Sequence, residues 1–265
     1  MIRLGVNTVL FKAFPLREAA RMIKLAGYDG MELSAIKGMC EHLDPEAWRD
    51  QQSMILDAAQ QFDLKLLSIE VASLDRVRLE KAFEACRALG IPVVNVGPGG
   101  KTGDEGTLRE SIATLAGLSA LAADYGVTLC CKAHVGAAIW NTETTLSAMA
   151  EIQGPGFGVD MDPSHIYRAG ENPEKALPPV ISRTRHIHIR DCKGRGPSPG
   201  EPMLQACGRG DIDLYGYFQA MVDGGYDGPV CLEVIGPEQT LEQAATIAAE
   251  SYGYMNACLK MLGAR

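Results

Sequence analysis

Four stretches of this chain place acids, imidazoles and cations at spacings that suit chemistry on a small molecule. In Asp160-Met161-Asp162-Pro163-Ser164-His165, Asp162 and His165 stand three apart across a turn, where carboxylate oxygen and imidazole nitrogen could face one divalent cation. The plainer reading of that pair is an Asp that caps the following helix and a His on its first turn. In His186-Ile187-His188-Ile189-Arg190-Asp191 polar and apolar residues alternate, so an extended strand would carry His186, His188 and Arg190 on one face and the isoleucines on the other. Glu233 closes the apolar run Val230-Cys231-Leu232. A carboxylate at that depth must be paired, protonated or metal-bound to offset its lost hydration. Leu129-Cys130-Cys131-Lys132-Ala133-His134 likewise ends an apolar run on a cation and an imidazole.

Groups this far apart in the chain converge only if the intervening elements return to one place. Short apolar or β-branched runs at 2–6, 30–33, 65–69, 93–96, 127–131, 156–160, 185–189 and 230–234 alternate with longer segments of helical periodicity, among them 16–26, 45–62, 74–89, 108–125 and 241–262. That alternation predicts repeated βα units. Several helices run into a Gly before the next strand, and the segment Gly27-Tyr28-Asp29-Gly30 is echoed by Gly225-Tyr226-Asp227-Gly228. With 265 residues, near the ~250 typical of an eight-fold barrel, the expectation is a single-domain α/β chain, a (β/α)8 TIM barrel. A doubly wound open sheet competes poorly, because no GxGxxG follows the first strand and Gly97-Pro98-Gly99-Gly100 is a weak loop signal. In a barrel, polar residues where strands finish face the catalytic mouth. Here those are Asn7, Glu32, Glu70, Asn95, Lys132 with His134, Asp162 with His165, His188 with Asp191, and Glu233.

A net charge of -8 and a pI near 5.2 argue against a nucleic-acid partner. No signal-like start and no run of 18 apolar residues occur, so neither export nor membrane insertion is expected and a cytoplasmic location is. The eight cysteines read as buried thiols, and without paired CxxC motifs a structural zinc is not expected. Lys193 and Arg195, with Arg190 and Arg209 nearby, form a local cationic cluster that suits an anionic substrate group, although a solvated loop explains the first two equally well. Asn141 or Thr142 should cap the next helix, and Trp140 either walls the site or packs.

The DxxH of Asp162 to His165, the His188-Ile189-Arg190-Asp191 run, Leu232-Glu233, and the turn Gly208-Arg209-Gly210-Asp211-Ile212-Asp213 resemble, in order and spacing, the motifs of the xylose-isomerase-like barrel superfamily. That group includes sugar phosphate isomerases, ketose epimerases, inosose dehydratases and apurinic endonucleases. The resemblance implies carbohydrate metabolism and a Mn, Mg, Co or Zn ion held by Asp162, His188 and Glu233, with His165 on metal or substrate. It also implies a fourth ligand, a Glu ending the fifth strand, and here the chain departs from the family by carrying Lys132. An ammonium cannot ligate a metal. Three outcomes follow: the metal persists without that Glu, Lys132 replaces it as the electrophile, or a Lys132 of lowered pKa acts as base or Schiff-base former.

The expected chemistry is proton transfer next to a carbonyl through an enediolate, with Glu233 as base and Lys132 and His188 as electrophile or acid. His134, His165, Arg190, Asn7, Glu70 and Trp140 are expected against a sugar or sugar-acid substrate, in a homo-oligomer. An isomerase or epimerase leads, ahead of a dehydratase of an inosose-like ketone and a non-catalytic sugar-binding barrel. Five histidines are too few for the His-rich three-metal site of the endonucleases.

Overall fold

The apolar runs form β1 (Arg3–Asn7), β2 (Gly30–Ile36), β3 (Cys40–Glu41), β4 (Lys65–Glu70), β5 (Val93–Val96), β6 (Thr128–Lys132), β7 (Phe157–Asp160), β8 (Thr184–Ile189) and β9 (Pro229–Leu232) in a computed structural model that describes all 265 residues. Eight of them pair in parallel in the order β1-β9-β8-β7-β6-β5-β4-β2, and β1 pairs with β2 to close the barrel. The helices α1 (Leu16–Ala26), α2 (Trp48–Gln61), α3 (Arg76–Leu89), α4 (Glu105–Asp124), α5 (Thr142–Glu151), α6 (Pro163–Arg168), α7 (Pro173–Ala176) and α8 (Leu214–Asp223) connect the strands, and α9 (Leu241–Met261) follows the last of them. None is long and apolar enough to cross a membrane. All eight cysteines are free and buried.

The two echoed segments lead into β2 and β9, which flank β1 on either side. Gly27 ends α1 at φ 106, a left-handed conformation that a side chain resists, and turns the chain back to the barrel. At Gly30 the strands approach so closely that a Cβ would lie 2.4 Å from the Lys65 carbonyl oxygen. Register shifts fall in only two of the pairings, between Met31 and Glu32 where β2 meets β4, and between Val159 and Asp160 where β7 meets β8. Such bulges re-aim a side chain, and both fall at carboxylates of the site described below.

β3 interrupts the barrel pattern. It pairs antiparallel with the extension of β2 and makes a hairpin over the mouth. Buried Arg78 of α3 pins this hairpin, donating to the Ala35 carbonyl at 2.9 Å and to Glu41 at 2.6 Å, with Asp44 at 3.6 Å. Arg78→Met is expected to lower stability by about 1–3 kcal/mol, because the acids left behind are only partly exposed. Urea unfolding measures it, and a change under a few tenths of a kcal/mol would show that the hairpin is held by other contacts.

Candidate active site

The strand ends build two layers. In the lower one His188 of β8 lies with Nε2 2.5 Å from Glu32 Oε2 and Nδ1 2.6 Å from Asp160 Oδ2. Burial opposes charge on this ring, but Asp160 and Glu32 outweigh it and raise the His188 pKa well above the usual imidazole value. In turn, burial alone would raise the carboxylates, yet the histidines lower Glu32 and hold Asp160 well below the ordinary range. The Nδ1–Asp160 contact is close but poorly aligned as a hydrogen bond, so it acts chiefly as an ion pair. Around it Asn95 donates to Glu32 at 2.6 Å, Ser68 donates to Glu32 at 3.1 Å, and Ser68 meets His186 Nε2 at 2.9 Å. Asn7 bridges upward, donating to Glu32 at 3.0 Å and to Glu70 at 2.7 Å.

The upper layer is organised by two cations. Lys132 at the end of β6 places Nζ 2.8 Å from Glu70 Oε1 and 2.9 Å from Glu233 Oε1. Arg190 stands 2.8 Å from Asp162 Oδ2 and 3.1 Å from Glu233 Oε2, and donates to Ser164 Oγ at 2.7 Å. Asp162 has the plainer role that its spacing suggested, since Oδ1 accepts from the Ser164 backbone and caps α6, while Oδ2 faces the guanidinium of Arg190.

Burial raises the pKa of Glu70, Glu233 raises it further, and it stands at about 8 although Lys132 pulls it down. Burial also opposes charge on Glu233, but Lys132, His188 and Arg190 lower its pKa well below the usual carboxylate value. The two acids that share one ammonium therefore differ at neutral pH, Glu70 protonated and Glu233 ionised. Burial would lower the Lys132 pKa, but Glu233 and Glu70 raise it instead, opposite to the lowered pKa that a base or Schiff-base former needs. Burial and then Arg190 push the His165 pKa well down. Donors crowd both its nitrogens: Arg190 at 2.8 Å from Nε2, Arg168 at 3.1 Å from Nδ1. His134 at the rim lies against His165, with ring centroids 4.0 Å apart and the planes tilted by 38°. Its Nδ1 donates to the Val135 carbonyl at 2.9 Å, which leaves Nε2 as an acceptor.

Above this layer opens a cavity of about 280 Å³, with Glu70, Lys132, His134, His165, Arg190 and Glu233 among its lining, and Ile36 and Met39 of the hairpin on its rim. A larger cavity of about 780 Å³ lies at the opposite end of the barrel, where its charged residues Arg3, Asp63 and Lys65 are exposed. The smaller cavity is the one lined by buried ionisable groups, so it is the candidate site.

Expected contacts thus divide. His134, His165, Arg190 and Glu70 line the cavity, whereas Asn7 is buried beneath it and Trp140 does not line it. Of the proposed cationic cluster only Arg190 arrives: Lys193 pairs with Asp211 at 3.0 Å, Arg209 with Glu250 at 2.7 Å, and Arg195 donates to the Tyr167 and Glu171 carbonyls. Asp191 accepts backbone N–H groups of Cys192, Gly208 and Ile212 and is a loop staple. Asp160 is a site acid that the Asp162–His165 spacing does not single out, although the alternation Val159-Asp160-Met161-Asp162 puts both acids on one strand face.

Three groups bring ligand atoms close enough to hold a metal: Glu32 with Glu70 and His188, Asp160 with His186 and His188, and Glu32 with His186 and Cys231. None contains Asp162 or Glu233. The expected set of Asp162, His188 and Glu233, with His165, is therefore not gathered at ligand distance. The buried oxygens Asp162 Oδ2 and Glu233 Oε2, which lack aligned hydrogen bonds, point at Arg190. The donor set at this point does not fit a divalent ion.

A family described as xylose isomerase-like TIM barrel matches residues 20–258. An inosose dehydratase of Bacillus licheniformis is 28% identical over 128 residues, covering 44% of this chain and 43% of that protein, so the match spans less than half of its length. Among solved structures, D-allulose 3-epimerase from Methylomonas sp. in complex with D-allulose superposes with TM-score 0.78 at 18% identity, covering 97% of this chain and 96% of that one. The IolI protein with a bound zinc atom does so with TM-score 0.78 at 20% identity, covering 97% and 98%. At those identities the likeness is one of fold.

Proposed function

Because the chain belongs to the xylose isomerase-like TIM barrel family, we propose that it is an isomerase or epimerase that moves a proton next to the carbonyl of a sugar or sugar acid. The observation that carries this reading is the Lys132 ammonium on the cavity floor between two carboxylates of opposite protonation state. Two of its three N–H groups are taken by Glu70 and Glu233, and the third is left for a substrate oxygen. Glu233 is the base, and protonated Glu70 is the acid, a pair whose environments have driven their pKa values apart. His188 works from below by fixing the charge of Glu32 and Asp160. With three of the four clustered cations committed elsewhere, a neutral sugar suits the cavity better than a phosphate ester.

Loss of water from an inosose-like ketone is the second reading, favoured by the inosose dehydratase match and by an acid able to protonate a leaving hydroxyl. Incubation with D-fructose, D-allulose and an inosose in D2O separates the two. Deuterium entering beside the carbonyl with all oxygens kept supports the isomerase, deuterium with dehydration supports the lyase, and no deuterium in any of them sinks both.

Glu70 also sets a pH dependence. Its protonated form is the working one, so the rate is expected to fall as pH rises through about 8. The folded chain keeps a proton there that the unfolded chain, with a carboxyl near 4.5, has released, so this contribution to stability is full below about 4.5 and declines up to about 8. Glu70→Gln should cost about 10²-fold in rate and remove the alkaline limb. A pH–rate profile that keeps that limb in the variant assigns it to another group.

A further inference from the structure

We infer that the ammonium of Lys132 and the guanidinium of Arg190 together take the place and the charge of a divalent metal, so that this chain binds no such ion between Asp162 and Glu233. Each oxygen of Glu233 already has a fixed cation, Lys132 at 2.9 Å on Oε1 and Arg190 at 3.1 Å on Oε2. Arg190 reaches Asp162 on its other side at 2.8 Å. A metal bound to both carboxylates would need oxygens at ~2.0–2.6 Å, in the space that the guanidinium fills. His188 offers it no nitrogen, since both face carboxylates. His165 offers none either, since donors stand against both ring nitrogens. The solved IolI structure shows that the fold admits zinc; in this chain the side chains exclude a divalent ion between Asp162 and Glu233.

Two unit charges in fixed positions supply what a doubly charged ion would. When Glu233 takes the proton beside the carbonyl, the C–H electron pair forms the enediolate double bond and the carbonyl pair moves onto oxygen. That oxygen is stabilised by the free N–H of Lys132. The proton then returns to carbon and no electron is gained or lost. The inference rests on the proposed enediolate chemistry only for this use of the charge; the exclusion of the ion stands on geometry alone.

The test is uptake of Mn²⁺ by EDTA-stripped protein, followed by electron paramagnetic resonance of the free ion. Wild-type protein is expected to take up no stoichiometric Mn²⁺ at concentrations equimolar with the chain. Lys132→Glu, which reverses the charge at Glu70 and Glu233, should bind one ion per chain, on the order of 1000-fold more tightly than wild type. Lys132→Gln, which removes the charge with little change of shape, should bind with intermediate affinity and serves if the first variant does not fold. One Mn²⁺ per wild-type chain, abolished by Asp162→Asn, overturns the inference. So does the absence of any gain in both folded variants. These outcomes are separate from the sugar assay, because a chain that exchanges deuterium while holding metal refutes this inference alone, and a metal-free chain that exchanges none refutes the proposed function alone.

Discussion

Lys132→Met is expected to lower the rate of deuterium exchange into substrate by about 10²–10³-fold and to cost about 3–5 kcal/mol of stability. Methionine keeps the unbranched stem and its packing, so the change isolates the charge. Without the ammonium, Glu233 keeps only Arg190 and Glu70 loses its 2.8 Å partner, both in a region withdrawn from water. Glu233 then binds a proton more readily, which relieves part of the cost and leaves less of it ionised to act as the base. A variant within about threefold of wild type in rate would show that Lys132 does not face the developing oxyanion. Urea midpoints near pH 6 and pH 8 give the stability arm, and the loss should be smaller at the lower pH, where Glu233 is more easily neutralised.

Arg190→Met is expected to destabilise the chain by a similar amount, about 3–5 kcal/mol, because it leaves two buried carboxylates uncompensated. Asp162 Oδ2 and Glu233 Oε2 have no aligned hydrogen bond, so Arg190 is their charge partner. Ser164 and His165 lose a donor in the same step. For a chain of this size the melting temperature should drop by about 10 °C. If repulsion between the acids is the cause, removing one of them repairs part of it. Asp162→Asn still caps α6, and the double variant Asp162→Asn/Arg190→Met should regain about 2 kcal/mol over Arg190→Met alone. Additive losses in that cycle would mean that Arg190 acts through packing.

The barrel could be read in the chain because its signals are local. Apolar runs, helical periodicity and terminal glycines each depend on a few neighbouring residues, and every barrel strand falls on one of the expected runs, with β2 running on past Leu33 to Ile36. The β2–β3 hairpin was not legible, since Cys40 and Glu41 carry no strand signal and Arg78 holds them from 37 residues away. The alternation in His186-Ile187-His188-Ile189-Arg190 correctly put three polar groups on the lumen face.

Local sequence thus determines which residues end strands, and parallel strands ending at one mouth bring acids, imidazoles and cations together. Which acid meets which cation is settled by strand register and by two bulges, at Glu32 and Asp160. Those offsets turn His188 onto Glu32 and Asp160 and leave Asp162 and Glu233 to Arg190. A shift of one residue along a strand reverses the face a side chain shows, and no run of neighbouring residues encodes it. The protonation states follow from the same cause, since they depend on burial and on charges contributed by other strands.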